Sequence, residues 1–226
     1  EMLRGRPGLR LSSNLILRLC PRFKWLREKI ASGDLGRIFY VEGDYDYGRL
    51  HKITQGWRGR LPFYSVVYGG AIHMVDLLLW LTGDRVVEVT AYGNRIASEG
   101  STFRNFDLVA ALLRFESGMI GKVTANFGCV RPHYHALEIY GTQGTFLNGA
   151  ERGTLFEKGG AGPVESVVDL PYPGVAKGDL LRSFVDSIVN GGEPAVTTED
   201  VFATLSVCFA IERSAHEGRP AAVRYL

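Results

Sequence analysis

The apolar positions of the chain change period along its length. Phe23, Leu26 and Ile30 recur at helical spacing between Pro21, suited to a first helical turn, and Gly33, suited to a left-handed C-terminal cap. Over residues 38–47 the period drops to two. Phe39, Val41, Gly43, Tyr45 and Tyr47 alternate with Tyr40, Glu42, Asp44 and Asp46, which predicts a half-exposed strand with its acids on the wetter face. Residues 49–64 are polar, carry Trp57 and read as a long excursion of the kind that contributes to a site. Residues 69–82 then predict a short helix ended by Gly83, and residues 9–17, a largely leucine-based, strand-like run, read as a strand.

After Asp84 the texture is β, with strands predicted over 86–96, 106–115, 119–127, 134–140 and 144–147. Glu116, Ser117 and Gly118 suit one hairpin loop and Thr142, Gln143 and Gly144 another, so consecutive strands should lie antiparallel. Both faces of 108–113 are apolar; one is expected to carry helices and the other to need a second cover, as in a sheet-mediated homo-oligomer. Residues 158–173, rich in glycine and proline, read as a loop or edge hairpin. Two helices follow. Residues 179–190 place Leu180, Leu181, Phe184, Val185 and Ile188 on one stripe, and a last helix runs to Ala215 behind Thr197 or Thr198 as N-cap. Residues 222–225 suit a terminal strand. The expected fold class is α+β: an open, predominantly antiparallel sheet with helices mainly on one face.

Composition narrows the function classes. With 46% apolar residues in 226, the chain can bury a core, and 26 basic against 24 acidic side chains leave a net charge of +2 with no basic tract for a phosphate backbone. No nucleic-acid partner is expected. No apolar run is long enough for a membrane span, so the expectation is a soluble, cytoplasmic protein with no membrane partner. Cys20, Cys129 and Cys208 lack disulfide or zinc spacing and read as free thiols.

Several collinear segments carry a family resemblance. They are NLILRLCP with Asn14, Arg18 and Pro21, GDLGRI from Gly33, Trp57 with Arg58, AIHMVDLLLWLTG from Ala71, EIYGTQGTF from Glu138 and GDLLRSFVDSIVNGGEPAVTTED from Gly178. Together they span about nine-tenths of the chain and resemble the C-terminal domain of the glucose–fructose oxidoreductase/inositol dehydrogenase (Gfo/Idh/MocA) family. The resemblance implies a dihydrodipicolinate reductase-like α+β domain that shapes a carbohydrate-like substrate's pocket and makes a dimer or tetramer interface. It also implies an N-terminal Rossmann domain that holds NAD or NADP. No GxGxxG occurs here, so residues 1–17 are expected to be the end of that nucleotide domain and 18–226 the substrate-binding and oligomerisation domain. No cofactor is expected on this part alone, which is expected to be inactive.

Within that frame His73 matches the residue that takes the substrate hydroxyl proton, a task suited to imidazole. Arg18, Trp57, Arg58, Tyr68 and Asp76 are the candidate substrate contacts, Asp76 doubling as a brace for the imidazole one helical turn away. Many family members carry an aspartate four residues before the histidine; here it is Gly69, leaving Tyr64, Ser65 or Tyr68 to replace it. A non-catalytic small-molecule-binding or assembly member is the alternative. His133 and His135 share a strand face and either line the pocket or are exposed, with a metal centre the third and least favoured option.

Overall fold

The strand at Ile38–Asp46 (β1) holds the molecule together, because it lies between strands that follow it much later in the chain. The structure, a computed structural model, describes residues 8–176 and 178–226. Its other strands are β2 Val86–Asn94, β3 Leu108–Phe115, β4 Ile120–Asn126, β5 Tyr134–Gly141, β6 Gly144–Asn148, β7 Gly153–Gly159, β8 Gly162–Val168 and β9 Ala221–Ala222. They form one sheet in the order β8-β7-β6-β5-β1-β4-β3-β2-β9. All neighbours are antiparallel except β1 and β4, which run parallel. This corrects the expectation that consecutive strands always pair. β4 and β5 are separated by β1, which takes an edge of each.

Period-two patterning decides which face is covered. Val41, Gly43 and Tyr45 of β1 sit in register with Gly121, Val123 and Ala125 of β4 and with Ile139, Leu137 and His135 of β5, all pointing to the helical side. That side carries α1 Pro21–Ala31, α3 Ile72–Thr82 and α5 Thr198–Glu217. The opposite face shows Leu112, Ile120 and Tyr92, each more than half exposed, beside a polar ladder in which Lys122 pairs with both Glu42 and Asp44. Among the described residues no chain segment is long and apolar enough to cross a membrane as a helix.

Helix ends follow local chemistry. Gly33 has φ +81 and the chain closes α1 with hydrogen bonds from Gly33 N to Ile30 O and Asp34 N to Lys29 O, the six-to-one turn that a left-handed residue permits. Thr197 caps α5 in a reciprocal capping box with Asp200. The helix expected over 69–82 begins earlier, as a π turn at Val67–Ala71 that continues into α3.

Two other expectations change. Residues 9–15 are not a strand. They run irregularly beside α4 (Asp179–Val189) and the start of α5, tied by Arg10 to Ser187 O and by reciprocal bonds between Leu11 and Thr198, and pass into a 3-10 turn at Ile16–Leu19. The remainder of that N-terminal stretch, residues 1–7, lies outside the described residues. The apolar stripe of α4 divides: Leu180 is buried against Leu15, Val196 and Val201, while Leu181, Val185 and Ile188 face outward. Of the two alternatives for the glycine-rich stretch, the edge hairpin is the one formed: β7 and β8 pair at the sheet edge.

A glycine sets how closely α3 approaches the sheet. A Cβ at Gly70 would stand 2.6 Å from a Tyr45 ring carbon and 2.9 Å from one of Phe127, closer than packing allows. Gly70→Ala should therefore destabilise the fold by about 1–3 kcal/mol, overriding its intrinsic helix gain. Gly160→Ala, where nothing lies within 4 Å, should change stability by less than about 0.5 kcal/mol. Urea unfolding midpoints measure both.

Candidate functional site

Tyr45 is the hub of a cluster at the β1/β5 end of the covered face. Its ring stacks on Tyr47 with centroids 5.7 Å apart and on His73 at 5.8 Å, and meets His133 and His135 edge-on at 5.0 and 5.3 Å. Each partner arrives for a simple reason. His135 faces Tyr45 in the β1–β5 register, and His133 precedes it by two residues, so both rings project to one side. His73 comes from the first turn of α3, where Gly70 lets the helix settle on the aromatic floor.

Burial keeps the imidazoles of the cluster neutral. Burial pushes the His73 pKa down to about 4 and that of His135 to about 3, and lowers that of His133 as well, with neighbouring charge in the same direction. Nδ1 of His73 and Nε2 of His133 are buried with no hydrogen-bond partner among the described residues. A buried polar atom without a partner costs about 1–3 kcal/mol, so these two nitrogens are poised to meet polar groups of a ligand or water. Among the described residues no three histidine, cysteine or acidic side chains are grouped to hold a metal ion.

The structure separates the residues singled out by sequence. Arg18 and Asp76 find each other: the guanidinium grips the carboxylate at 2.7 to 3.1 Å through Nε and a terminal nitrogen, and also meets Asp200 at 2.8 Å, while Thr204 donates to Asp76. Both are buried, so this pair clamps the Ile16–Leu19 turn to α3 and α5. It borders a groove of about 470 Å³ lined also by Trp80, Arg85 and Tyr225, at the end of α3 remote from His73. Trp57 and Arg58 lie on the excursion between β1 and α3, which contains α2 (His51–Thr54) and a 3-10 turn at Trp57–Arg60. Trp57 is 60% exposed, and Arg58 lies over it and reaches toward the Tyr64 ring. Tyr68 packs edge-on against Phe209 at 5.6 Å.

Of the three replacements considered for the missing aspartate, Tyr64 stands in the right place. A side chain at Gly69 would collide with the Tyr64 hydroxyl, so that hydroxyl fills the position one turn before His73. Ser65 instead donates to Glu212 and accepts from the amides of Val67 and Tyr68. Two contributors to this region escaped the sequence reading. Arg22, fully buried, donates to the carbonyls of Gly149, Glu151 and Leu170 and to Asn148; Tyr172, just beyond Leu170, donates to or accepts from His135 Nδ1. Arg22 reads as an ordinary helix residue and Tyr172 as part of a loop, so composition gave no signal of either.

Two measurements probe these buried groups. Both imidazole pKa values lie below the free value of 6.5, so the unfolded chain takes up protons first on acidification. Their contribution to stability is complete above about pH 6.5 and is lost as the pH falls toward 4. Asp46 and Glu212, raised by burial, act in the opposite sense, so His73→Gln is compared with the wild type and should flatten urea midpoints between pH 7 and 4.5. Asp76→Ala leaves the buried Arg18 guanidinium with Asp200 as its remaining carboxylate partner and should cost about 3 kcal/mol, much of it regained in the Arg18→Met/Asp76→Leu double variant by equilibrium unfolding.

Comparison with known proteins follows the same lines. A family model for the GFO/IDH/MocA C-terminal domain matches residues 23–147. Myo-inositol 2-dehydrogenase of Thermotoga maritima is 26% identical over 87% of this chain and 59% of its own length. The scyllo-inositol 2-dehydrogenase (NAD(+)) of Bacillus subtilis is 23% identical over 90% of this chain and 59% of its own. The chain thus spans about three-fifths of the curated relatives it matches. In fold it is similar to a putative NADPH-dependent oxidoreductase from Desulfitobacterium hafniense, with TM-score 0.82, 20% identity and coverage of 98% of this chain and 67% of the other. Levoglucosan dehydrogenase in complex with NADH and levoglucosan gives TM-score 0.79, 21% identity, and 95% and 66% coverage. With its strands and helices in this order and the family model matched over more than half its length, the chain belongs to the GFO/IDH/MocA family and carries that family's C-terminal domain.

Proposed function

We propose that this chain is the substrate-binding and oligomerisation part of an NAD(P)-dependent oxidoreductase that acts on a CH–OH group of a sugar or polyol. The observation that carries the reading is His73: a neutral imidazole, with a buried unpartnered Nδ1, set in an aromatic cluster. Relatives of the chain that act on inositols and bind NADH support it. Oxidation of a secondary alcohol needs a group that accepts the hydroxyl proton and a surface that holds the ring in place. His73 supplies the acceptor. The rings of Tyr45 and Tyr47 shield the His73 imidazole from water, and Tyr64 offers a hydroxyl where relatives of this family carry an aspartate.

We place the nucleotide outside the described residues of this chain. Its glycine pairs at 141–144 and 159–162 turn β-hairpins and open no helix that could cradle a phosphate. The nicotinamide, as hydride acceptor, belongs to an additional domain, and the chain alone is inactive on this reading. The open sheet face is the surface for a homo-oligomer, a dimer or tetramer, since Leu112, Ile120 and Tyr92 stand exposed on it. Gly69 favours a second reading, a non-catalytic binding member, because no carboxylate stands at that position.

Activity separates the two readings. In the longer protein that includes a nucleotide domain, myo-inositol or a related polyol should reduce NAD or NADP, and His73→Ala should lower kcat by about 10²–10⁴. Turnover that survives His73→Ala unchanged would make the histidine structural, and none across a polyol panel would favour the binding member. Sedimentation should show an oligomer of the chain that Leu112→Glu with Ile120→Glu converts to monomer without unfolding it.

A further inference from the structure

His135 lies in the candidate site, yet the proposed chemistry leaves it without a task. Its surroundings settle which ring nitrogen carries the proton. The Tyr172 oxygen accepts the backbone N–H of His135 at 2.9 Å and lies 2.8 Å from Nδ1 of the same residue. The phenolic proton has one acceptor within reach there, Nδ1, so Tyr172 donates to it and the ring proton resides on Nε2. Nε2–H then lies across the ring from the nitrogen that Tyr172 holds, in a cluster where the His133 and His73 ring centroids stand 4.7 and 6.4 Å from that of His135.

Tyr172 is held unusually firmly for a loop residue. Arg22 binds the carbonyl of Leu170 through two nitrogens at 2.9 and 3.1 Å, and its guanidinium lies 5.3 Å over the Tyr172 ring. Phe23 meets the same ring edge-on at 5.8 Å, and Tyr134 does so at 5.9 Å. A buried cation solvated by carbonyls is costly unless its geometry is complete, so the loop it fixes has little freedom. Burial keeps the His135 ring neutral, which maintains one donor and one acceptor rather than two donors.

We infer that Tyr172 and His135 form a positioning pair, in which the tyrosine locks His135 as the Nε2–H tautomer so that it offers a hydrogen-bond donor to a second hydroxyl of the substrate while His73 accepts from the first. The pair thereby selects polyols with neighbouring hydroxyl groups over simple secondary alcohols. The geometry stands by itself; the identity of the ligand rests on the dehydrogenase reading. His133, with an unpartnered Nε2, is the neighbour able to share that second hydroxyl.

Nitrogen-15 NMR of the imidazoles in the 226-residue chain tests the pair directly. At pH 7 His135 should show a protonated Nε2 and a bare Nδ1, and Tyr172→Phe should release it into a tautomer mixture. A wild-type spectrum with the proton on Nδ1 overturns the inference whether or not the variant folds. Titration with myo-inositol should then shift both the His135 Nε2–H and the His73 resonances, with apparent Kd weaker in Tyr172→Phe by the inverse of the fraction left as Nε2–H, about twofold for an even mixture. His135→Gln, which keeps a donor near the Nε2 position, should bind within about threefold of wild type, and His135→Asn should not. Shifts at His73 with none at His135 overturn the positioning role and leave the dehydrogenase reading intact. Shifts at neither overturn both.

Discussion

The close seating of α3 on the central strand is the constraint from which the rest of the molecule follows. At Gly43 the absence of a side chain brings the β1 backbone against Met74 and Leu78, and a Cβ there would stand 3.1 and 3.2 Å from Met74 atoms. One turn earlier along the helix Gly70 does the same over Tyr45 and Phe127. Two glycines on opposite partners thus set the helix height, and that height lets the His73 ring stack on that of Tyr45. Bulk at either position would lift the helix, since a packed interior accommodates extra volume only by moving its elements. The site is therefore a property of the sheet–helix seam rather than of a flexible loop.

Two buried arginines tie distant segments to the fold around that seam, by different chemistry. Arg18 is neutralised by carboxylates of α3 and α5, which joins the entry segment to the helical layer. Arg22 meets carbonyls and one amide, which joins the first helix to the β6–β7 turn and to the loop bearing Tyr172. A buried ionic group adds less to net stability than its contacts suggest, because desolvation offsets much of the attraction. Its effect is geometric. Each arginine demands several acceptors at once, and few arrangements of these segments provide them.

Local rules read the sequence well where one interaction decides the outcome. The alternation from Tyr40 to Tyr45 gave the two faces of β1, though it failed at exposed Phe39 and buried Asp46; Gly33 and Gly83 ended their helices, and Thr197 with Asp200 capped α5. The antiparallel sheet and the family resemblance followed from such elements in order. What remained hidden depends on distant partners. Nothing local says that β1 inserts between β4 and β5, since pairing order is set by the whole sheet. Residues 9–15 look like a strand because apolar runs do, yet their backbone bonds go to Thr198 and their cover comes from α4. On α4 the apolar stripe is wider than the core it meets, so Leu181 and Val185 remain outside. In the site, His73 and the HxH pair were visible as residue types, but their convergence on Tyr45 was not. Tyr64 could be weighed as a substitute for the missing aspartate but not chosen, because only space tells which hydroxyl fills the volume at Gly69.

The account stands on the helix lying this close to the strand, and nuclear Overhauser contacts measure that approach directly. Strong cross-peaks are predicted between the Met74 methyl and the Gly43 α protons, and between the Tyr45 ring and the Gly70 α protons. Their absence, in a chain whose Met74 methyl shows contacts to other core residues, would contradict the seam and with it the placement of His73.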